Sequence, residues 1–217
     1  MSNIYWKIRE RAYTYLSQGP FENLIHKTFS SLELDVFVVV IGANDGITND
    51  PLYQVRVKKG WGGLFVEPQK EIFRKLKENL CGEHNLFFEN SAIVNSSASQ
   101  VILYKHDDPN LSVMATTEPR GYDKWVKKEV VSALTFDELC DKYNLIDKGK
   151  IVLQIDIEGA ESDLLYSINY QKIKPSYILY EHRYMTYNDH LLVNQFLQEK
   201  GYKIYRDRWD TLAVLGF

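Results

Sequence analysis

The 217-residue sequence contains little cysteine and no long apolar run. Its two cysteines, Cys81 and Cys140, are too few and too far apart for a disulfide scaffold or a zinc motif, and they favour a reducing compartment. The longest apolar run, Val36–Ile41, is too short to span a bilayer. Residues 1–11 carry charges where a signal peptide would need apolar side chains. We therefore expect a cytoplasmic protein with no segment inserted in a membrane.

The sequence also lacks an excess of basic residues, since 26 lysines and arginines stand against 29 aspartates and glutamates. Attraction to a nucleic-acid backbone would be weak at the resulting net charge of −3. Lys58–Lys59 and Lys127–Lys128 are isolated pairs, which we interpret as solvated helix faces. The chain is 45% hydrophobic, enough to bury a full core. This composition favours one domain over residues 1–217 and no nucleic-acid partner.

Two segments of the sequence are candidates for a lid over a binding site. Residues 1–31 show apolar side chains at helical spacing, interrupted at Gly19–Pro20, and are expected to form a helical extension before an α/β core at residues 32–217. This extension would be a lid or a homodimer contact, or would simply pack on the domain. Residues 106–121 form a long polar insertion, interpreted as an active-site lid or as a surface loop.

The segment Val38–Gly46 is an apolar run that breaks into a turn of small residues. Such a break is typical of an open α/β sheet, at the point where a strand passes to a helix. Gly42 and Gly46 have no Cβ and Asn44 tolerates a left-handed turn, so we expect the backbone to approach a ligand closely here. A larger side chain at Gly42 would then occupy the space of the ligand and not of the core. A nucleoside-containing cofactor is the first candidate.

A second apolar run, Leu64–Val66, ends at Glu67, which lies 21 residues beyond Gly46. In nucleotide-binding α/β folds, an acidic residue at the tip of the second strand binds the ribose hydroxyls at a separation of about 20 residues. Glu67 fits this role. An ordinary strand and turn followed by a surface glutamate would give the same pattern.

Acidic residues gather in the segment Ile151–Glu161. Alternate strand residues point the same way, so Gln154, Asp156 and Glu158 share one side if the chain stays extended. Carboxylates would then lie at the carboxyl edge of the sheet, where ligands bind in open α/β folds. Glu158 or Glu161 would alternatively cap the helix that follows. The same acids suit Mg²⁺, but their spacing identifies no metal site.

A later apolar strand, residues 177–180, ends at Glu181 and His182. If this strand lies beside the one that ends at Asp156, both tips project into one cleft, and Asp156 and His182 would face one another. His182 titrates near neutrality and would be the natural proton acceptor. A histidine after a buried strand is also often only packed and hydrogen-bonded, which leaves Asp156, Glu158 and Glu181 as alternatives.

The end of the chain reads as two strands, residues 202–206 and 211–215, joined by a short connection. A short connection joins antiparallel neighbours. A dehydrogenase domain would more often continue with parallel strands and crossover helices, so the hairpin disfavours that class.

Taken together, five segments of the chain resemble the FkbM-type S-adenosylmethionine-dependent methyltransferases. The resemblance runs from about residue 36 to residue 170, with a weaker likeness beyond. It implies a class I methyltransferase fold, which is a Rossmann-like, mostly parallel α/β sheet with helices on both faces and a C-terminal antiparallel hairpin. It also implies S-adenosyl-L-methionine as the methyl donor and usually a hydroxyl group as the acceptor. In family order the five segments are Ile41–Gly46, Asn49–Pro51, Val66–Gln69, Asn90–Ile93 and Ile155–Glu161.

The same resemblance implies how the cofactor would be contacted. The methionine end would lie against the glycine turn, the ribose against the second strand, and the adenine after the third. By position these residues are Gly42, Asn44 and Asp45 for the methionine, Glu67 for the ribose, and Ser91 and Ala92 for the adenine. The position of Asp156 at the tip of its strand, and not the resemblance, places it beside the methyl group.

Two residues depart from the family pattern. Val40 stands where many relatives carry an acid, and Gln154 stands where many carry a lysine. The first departure removes the usual contact to the cofactor's amino group, and Asp45 or Asp50 would take that contact over.

We therefore expect an O-methyltransferase that acts on a small-molecule or carbohydrate acceptor, with Asp156, Glu158 and His182 as candidate catalytic residues and no metal. Two alternatives stay open. An NAD-dependent oxidoreductase would also suit Glu67, although the chain lacks the spacing Gly-x-Gly-x-x-Gly in this turn. A catalytically silent nucleotide-binding or assembly module would keep the fold without the chemistry.

Overall fold

The computed structural model describes residues 20–32, 35–106, 115–117 and 125–216. The chain divides into two compact units, residues 1–32 and 33–217. In the first unit, helix α1 spans Pro20–Ser30. Proline fits the first turn of a helix because its missing N–H has no intrahelical acceptor there. The expected helix in residues 3–19 lies outside the described residues.

The second unit alternates strands and helices through most of its length. Its strands are β1 (Val36–Ile41), β2 (Gly62–Val66), β3 (Leu86–Glu89), β4 (Ala92–Val94), β5 (Gln100–His106), β6 (Ala115–Thr116), β7 (Trp125–Thr135), β8 (Lys150–Ile155), β9 (Tyr177–Glu181), β10 (Tyr202–Arg206) and β11 (Asp210–Leu215). Its helices are α2 (Tyr53–Lys59), α3 (Lys70–Asn79), α4 (Phe136–Tyr143), α5 (Glu161–Ser167) and α6 (Tyr187–Glu199), with a 3-10 turn at Leu145–Asp147.

The main sheet has the strand order β10-β11-β9-β8-β1-β2-β3. Strands β3, β2, β1, β8 and β9 run parallel, whereas β11 is antiparallel to both β9 and β10. The chain passes outward from β1 to β3 and later returns to β8 on the other side of β1. The strand order therefore reverses between β1 and β8, which is where open α/β sheets bind ligands. The mostly parallel sheet and the terminal hairpin confirm the predicted fold class.

A continuous apolar core holds one face of this sheet against the helices. Val39 of β1 and Leu153 of β8 share one cluster with Leu139 of α4, Leu165 of α5 and Val193 of α6. All six residues of β1 are buried, as is typical of a parallel strand covered on both faces. The strand ends that carry the candidate site are thus fixed by the best-packed part of the unit.

A second sheet, with the order β4-β7-β5-β6, was not predicted. Its first pair is parallel and joins Ala92 to Ala133, and its second is the antiparallel pair of β5 and β7. Lys127–Lys128 therefore lie on strand β7, and their interpretation as a helix face is wrong. The expected polar insertion at residues 106–121 contains strand β6, while residues 107–114 and 118–124 lie outside the described residues.

No helix in the described residues is both long and apolar enough to cross a membrane.

Candidate active site

The turn after β1 is locked to both neighbouring strands. The N–H groups of Gly42 and Ala43 donate to the Val66 carbonyl at 3.0 and 2.9 Å, and the Asp156 N–H donates to the Ile41 carbonyl at 2.9 Å. Gly42 has φ +82°, and a Cβ built on it would lie 1.7 Å from the Asp156 carbonyl oxygen. Glycine is required here because the β8 backbone passes too close for any side chain. The expectation that a side chain at Gly42 would meet the ligand and spare the core is wrong.

Glycine is also required at position 46, because neighbouring side chains leave no room for a Cβ. Its φ is +77°, and an added Cβ would lie 2.6 Å from Leu76 of α3 and 2.9 Å from Leu80, which directly follows α3, and both leucines are buried. Between the two glycines, Asn44 adopts the expected left-handed conformation with φ +47°. The turn is therefore shaped first by the protein around it.

The Asp45 carboxylate is used within its own loop. Its Oδ1 accepts from the N–H groups of Ile47 and Thr48 at 3.0 and 2.7 Å, and its Oδ2 accepts from the Thr48 hydroxyl at 2.8 Å. The Asn79 amide donates to the Asp45 carbonyl at 2.9 Å. These bonds make Asp45 a loop-forming residue, and they leave Asp50 as the better placed candidate for a ligand contact.

Glu67 joins the ends of β1 and β2. Its Oε2 accepts from the Asn44 N–H at 3.0 Å and its Oε1 from the Gln69 N–H at 2.9 Å. The residue is 5% exposed, and burial raises the pKa of Glu67 to about 7 against the lowering effects of these bonds and of Lys105 on β5. Each carboxylate oxygen keeps a second lone pair, so Glu67 is able to accept further donors from a ligand.

The segment after β3 lies directly against Glu67. The Asn90 amide donates to the Glu67 and Pro68 carbonyls at 2.7 and 3.0 Å. The buried Ser91 hydroxyl donates to Glu89 at 2.7 Å. A cavity of about 590 Å³ opens beside Ser91. The candidate adenine segment, Ser91 with Ala92, is therefore adjacent to the candidate ribose residue. The structural role of Asn90 was not predicted, because side-chain bonds to distant carbonyls leave no sequence pattern.

Asp50 and Gln154 form a recessed polar pair next to β1. Gln154 of β8 is in register with Val40, and its side chain hydrogen-bonds to the Asp50 carboxylate, which also accepts from the Leu52 N–H at 2.9 Å. Burial raises the pKa of Asp50 to about 6. Gln154 is 7% exposed, and its Oε1 has no hydrogen-bond partner among the described residues. Buried acceptors are normally paired, so this pair is suited to a donor such as an ammonium group.

Three carboxylates meet at the carboxyl ends of β8 and β9. Oxygen atoms of Asp156, Glu158 and Glu181 all lie within 4.8 Å of one another. Glu158 has φ +55°, a conformation that costs free energy in a residue other than glycine and is found often at functional sites. The set also offers the oxygen ligands that a hard divalent cation takes. The spacing of these residues in the sequence does not reveal that the three carboxylates lie together, because Glu181 belongs to a different strand.

Burial is the main cause that raises the pKa of each carboxyl in this group, and repulsion between the acids adds to it. The pKa is about 6 for Asp156, about 8 for Glu158 and about 9 for Glu181. Asp156 is the most exposed residue of the three, although protein surrounds its carboxyl group, and Glu158 and Glu181 are partly covered. Arg183 counteracts the shift at Asp156 and Glu158.

Glu161 stabilises the loop between β8 and α5 through hydrogen bonds to its backbone. It is 1% exposed, and its carboxylate accepts from the N–H groups of Ile157 at 2.9 Å and Gly159 at 3.0 Å. The alternative reading of Glu161 as a structural residue is thus supported, although it binds amides of the preceding loop and not of helix α5.

The His182 ring packs against α6 and β11, away from the acidic group. Its Nδ1 lies 3.0 Å from the Thr211 hydroxyl, and its ring stacks on that of His190 at 3.9 Å. Burial lowers the pKa of His182, and its charged neighbours are Asp207 and Arg206. Tyr180, two residues earlier, bonds to Asn194 of α6 on the same face. The expectation that Asp156 and His182 face one another is wrong: Glu181, one residue earlier, is the group that reaches Asp156.

The raised pKa values predict how stability depends on pH. Folded carboxyls with pKa values above those of the unfolded chain bind protons more tightly when folded, so stability falls as pH rises through those values. Glu181→Gln should therefore stabilise the ligand-free protein by about 1 to 3 kcal/mol at pH 9. The gain in stability should shrink as the pH falls towards 6.5. His190, whose folded pKa is lowered from 6.5 to about 4, does not change the pH dependence of stability above pH 6.5.

Urea unfolding at several pH values measures this difference. Glu199→Gln, at the exposed end of α6, is the matched control and should shift stability little at any pH. A Glu181→Gln variant less stable than the parent at pH 9 would show that the carboxylate is held by favourable contacts and not by repulsion.

Comparison with known proteins bears out the resemblance. The family profile of the Methyltransferase FkbM domain matches residues 41–204. The chain belongs to the FkbM methyltransferase family. No curated protein sequence matches it significantly.

Among solved structures, the FkbM methyltransferase of Methylobacillus flagellatus KT superposes with a TM-score of 0.54 at 18% identity, over 84% of this chain and 44% of that one. This chain thus spans less than half the length of that relative. A SAM-dependent O-methyltransferase from Thermotoga maritima gives a TM-score of 0.48 at 10% identity, covering 93% and 67% of the two chains. Aeropyrum pernix fibrillarin, solved with natively bound S-adenosyl-L-methionine, gives 0.46 at 12% identity, covering 88% and 74%. The first of these similarities supports the fold of this FkbM domain.

Proposed function

We propose that this FkbM domain transfers a methyl group from S-adenosyl-L-methionine to a hydroxyl group of a small-molecule or carbohydrate acceptor. The observation that carries the proposal is the carboxyl edge of the sheet at the reversal point between β1 and β8, where Glu67 and the carboxylates of Asp156, Glu158 and Glu181 follow neighbouring strand ends. A nucleoside-binding acid and a proton acceptor are the two groups that this reaction requires from the protein.

The described residues fit the cofactor at two points that differ in chemistry. The Glu67 carboxylate has lone pairs left for the ribose hydroxyls, beside Ser91 and Ala92 for the adenine. The unpartnered Gln154 Oε1 and the Asp50 carboxylate fit the amino group of the methionine part. Gly42 and Asn44 would contribute backbone to the methionine end. When bound, the cofactor supplies an electrophilic methyl group on a sulfonium.

The acidic group supplies the proton acceptor. The acceptor hydroxyl must be aligned with the methyl carbon and lose its proton as the new bond forms. Asp156 is the most exposed of the three acids and is thus the one that an acceptor can reach, so we assign it as the base in place of His182. Glu158 and Glu181, with higher pKa values, would stay protonated at neutral pH and donate hydrogen bonds that orient the hydroxyl. His182 would position the β9–β11 edge through its contact with Thr211.

An NAD-dependent oxidoreductase is the other function that the Glu67 position would suit. The family match and the β10–β11 hairpin both favour methyl transfer. Adenosylhomocysteine and NAD share the adenosine part, so binding of one without the other separates the two functions.

Glu67→Ala tests the cofactor site. At pH 8.5, above the raised pKa of Glu67, we expect the variant to bind adenosylhomocysteine at least tenfold more weakly, because two ribose hydroxyls lose a charged acceptor worth about 1.5 to 3 kcal/mol. Isothermal titration calorimetry measures the loss. Thermal unfolding must accompany it, because the change also leaves the Asn44 and Gln69 amides without their acceptor.

Glu78→Ala is the control, since Glu78 is an exposed glutamate on α3 paired only with Arg74 among the described residues. It should leave binding unchanged. A folded Glu67→Ala variant with parental affinity would remove Glu67 from the site.

A further inference from the structure

Two arginines and a tryptophan form a cationic group at the rim of the acidic cleft. The guanidinium carbons of Arg183 and Arg208 lie 5.3 and 4.5 Å from the ring centroid of Trp209. Trp209 is 41% exposed and both arginines are exposed. Within the described parts of the chain, neither arginine makes an ion pair with a carboxylate.

This group adjoins the three carboxylates. Asp210 pairs with Glu181 in the β9–β11 ladder, which places Trp209 one residue beyond the strand end. The His182 N–H donates to the Trp209 carbonyl at 2.7 Å. Arg183 lies close enough to act electrostatically on Asp156 and Glu158. A molecule with a hydroxyl at Asp156 would therefore extend towards the two arginines.

One aromatic ring positions both arginines. Both guanidinium groups rest on the indole ring of Trp209, where the attraction of each cation to the ring fixes its position. The nearest acid in the turn, Asp207, is engaged by the N–H groups of Trp209 and Asp210, both at 2.8 Å. The two guanidinium groups therefore present N–H donors to solvent.

We propose that Arg183 and Arg208, placed by Trp209, bind a phosphate group of the methyl acceptor, so that the substrate is a phosphorylated hydroxyl compound. This inference rests on the proposed function and names its substrate class. Two guanidinium groups match the double charge and several oxygens of a phosphate better than the single charge of a carboxylate.

Fluorine NMR on protein labelled with 5-fluorotryptophan tests the proposal directly. The chain has four tryptophans, and Trp209→Phe identifies the resonance of Trp209. Glucose 6-phosphate should shift that resonance in a saturable manner, whereas glucose should not shift it and glucuronate should bind at least fivefold more weakly. The double variant Arg183→Gln/Arg208→Gln should weaken glucose 6-phosphate binding at least tenfold. Arg74→Gln, an exposed arginine on α3, should leave it unchanged.

Each titration is run with and without adenosylhomocysteine, and calorimetry follows the affinity for that compound in the same samples. A Trp209 resonance that does not respond to glucose 6-phosphate, or a double variant that binds it like the parent, would overturn the phosphate site. Equal binding of glucuronate would overturn the assignment to phosphate. Failure of the parent protein to bind adenosylhomocysteine would instead overturn the proposed function, and the phosphate titration without it would still report on the arginines.

Discussion

Asp156→Asn should lower methyl transfer by about 10²- to 10⁴-fold, which is the usual contribution of a general base. The substitution keeps the size of the side chain and removes its ability to take a proton. Affinity for adenosylhomocysteine should change little, because a base acts mainly in the transition state. The measurement is the initial rate of tritium transfer from labelled S-adenosyl-L-methionine to a panel of hydroxyl compounds that includes sugar phosphates.

Two further variants make this result specific. Asp147→Asn changes an exposed aspartate in the 3-10 turn and should retain the parental rate. His182→Ala should reduce the rate by less than tenfold, because the ring contacts Thr211 and His190. The opposite pattern, with a large loss for His182→Ala and none for Asp156→Asn, would return the role of base to the histidine.

Gly42→Ala should destabilise the domain by more than about 3 kcal/mol, in the range of the most damaging single substitutions. Two costs combine in this variant. Alanine is strained at φ +82°, and its Cβ would lie 1.7 Å from the Asp156 carbonyl oxygen, so the end of β8 must move. Equilibrium unfolding in urea gives the difference in free energy.

Gly60→Ala is a matched control for the backbone term alone. Gly60 has φ +65°, and a Cβ there would meet nothing within 4 Å. This variant should cost only about 1 kcal/mol. Similar losses in the two variants would show that β8 yields easily and that Gly42 is not needed for the close approach of the two strands.

The parts of the fold that depend on local pattern were predictable. The β1 run and its glycine turn, the acid at the end of β2 and the terminal hairpin all have signatures within a few residues. The second sheet has no such signature, since the parallel pair of Ala92 with Ala133 joins residues far apart in the chain. The steric requirement for glycine at position 42 has no local signature either, because the atom that excludes a side chain there is the carbonyl oxygen of Asp156.

The sequence pattern does not predict which of Glu181 and His182 faces Asp156. A strand buried on both faces has no alternation of apolar and polar residues, so the sequence of β9 does not indicate the face of the sheet on which each side chain lies. The structure sends Tyr180 and His182 towards α6 and Glu181 towards Asp156. The predicted base, His182, is adjacent in sequence to Glu181, and adjacent residues of a strand point to opposite faces of the sheet.

If the ends of β1 and β8 hold the methyl donor, calorimetric titration of the full chain will distinguish adenosylhomocysteine from NAD. We expect adenosylhomocysteine to bind one to one with a Kd in the micromolar range, and NAD to give no binding heat at the same concentrations. Binding of NAD without adenosylhomocysteine would show that these strand ends do not hold a methyl donor.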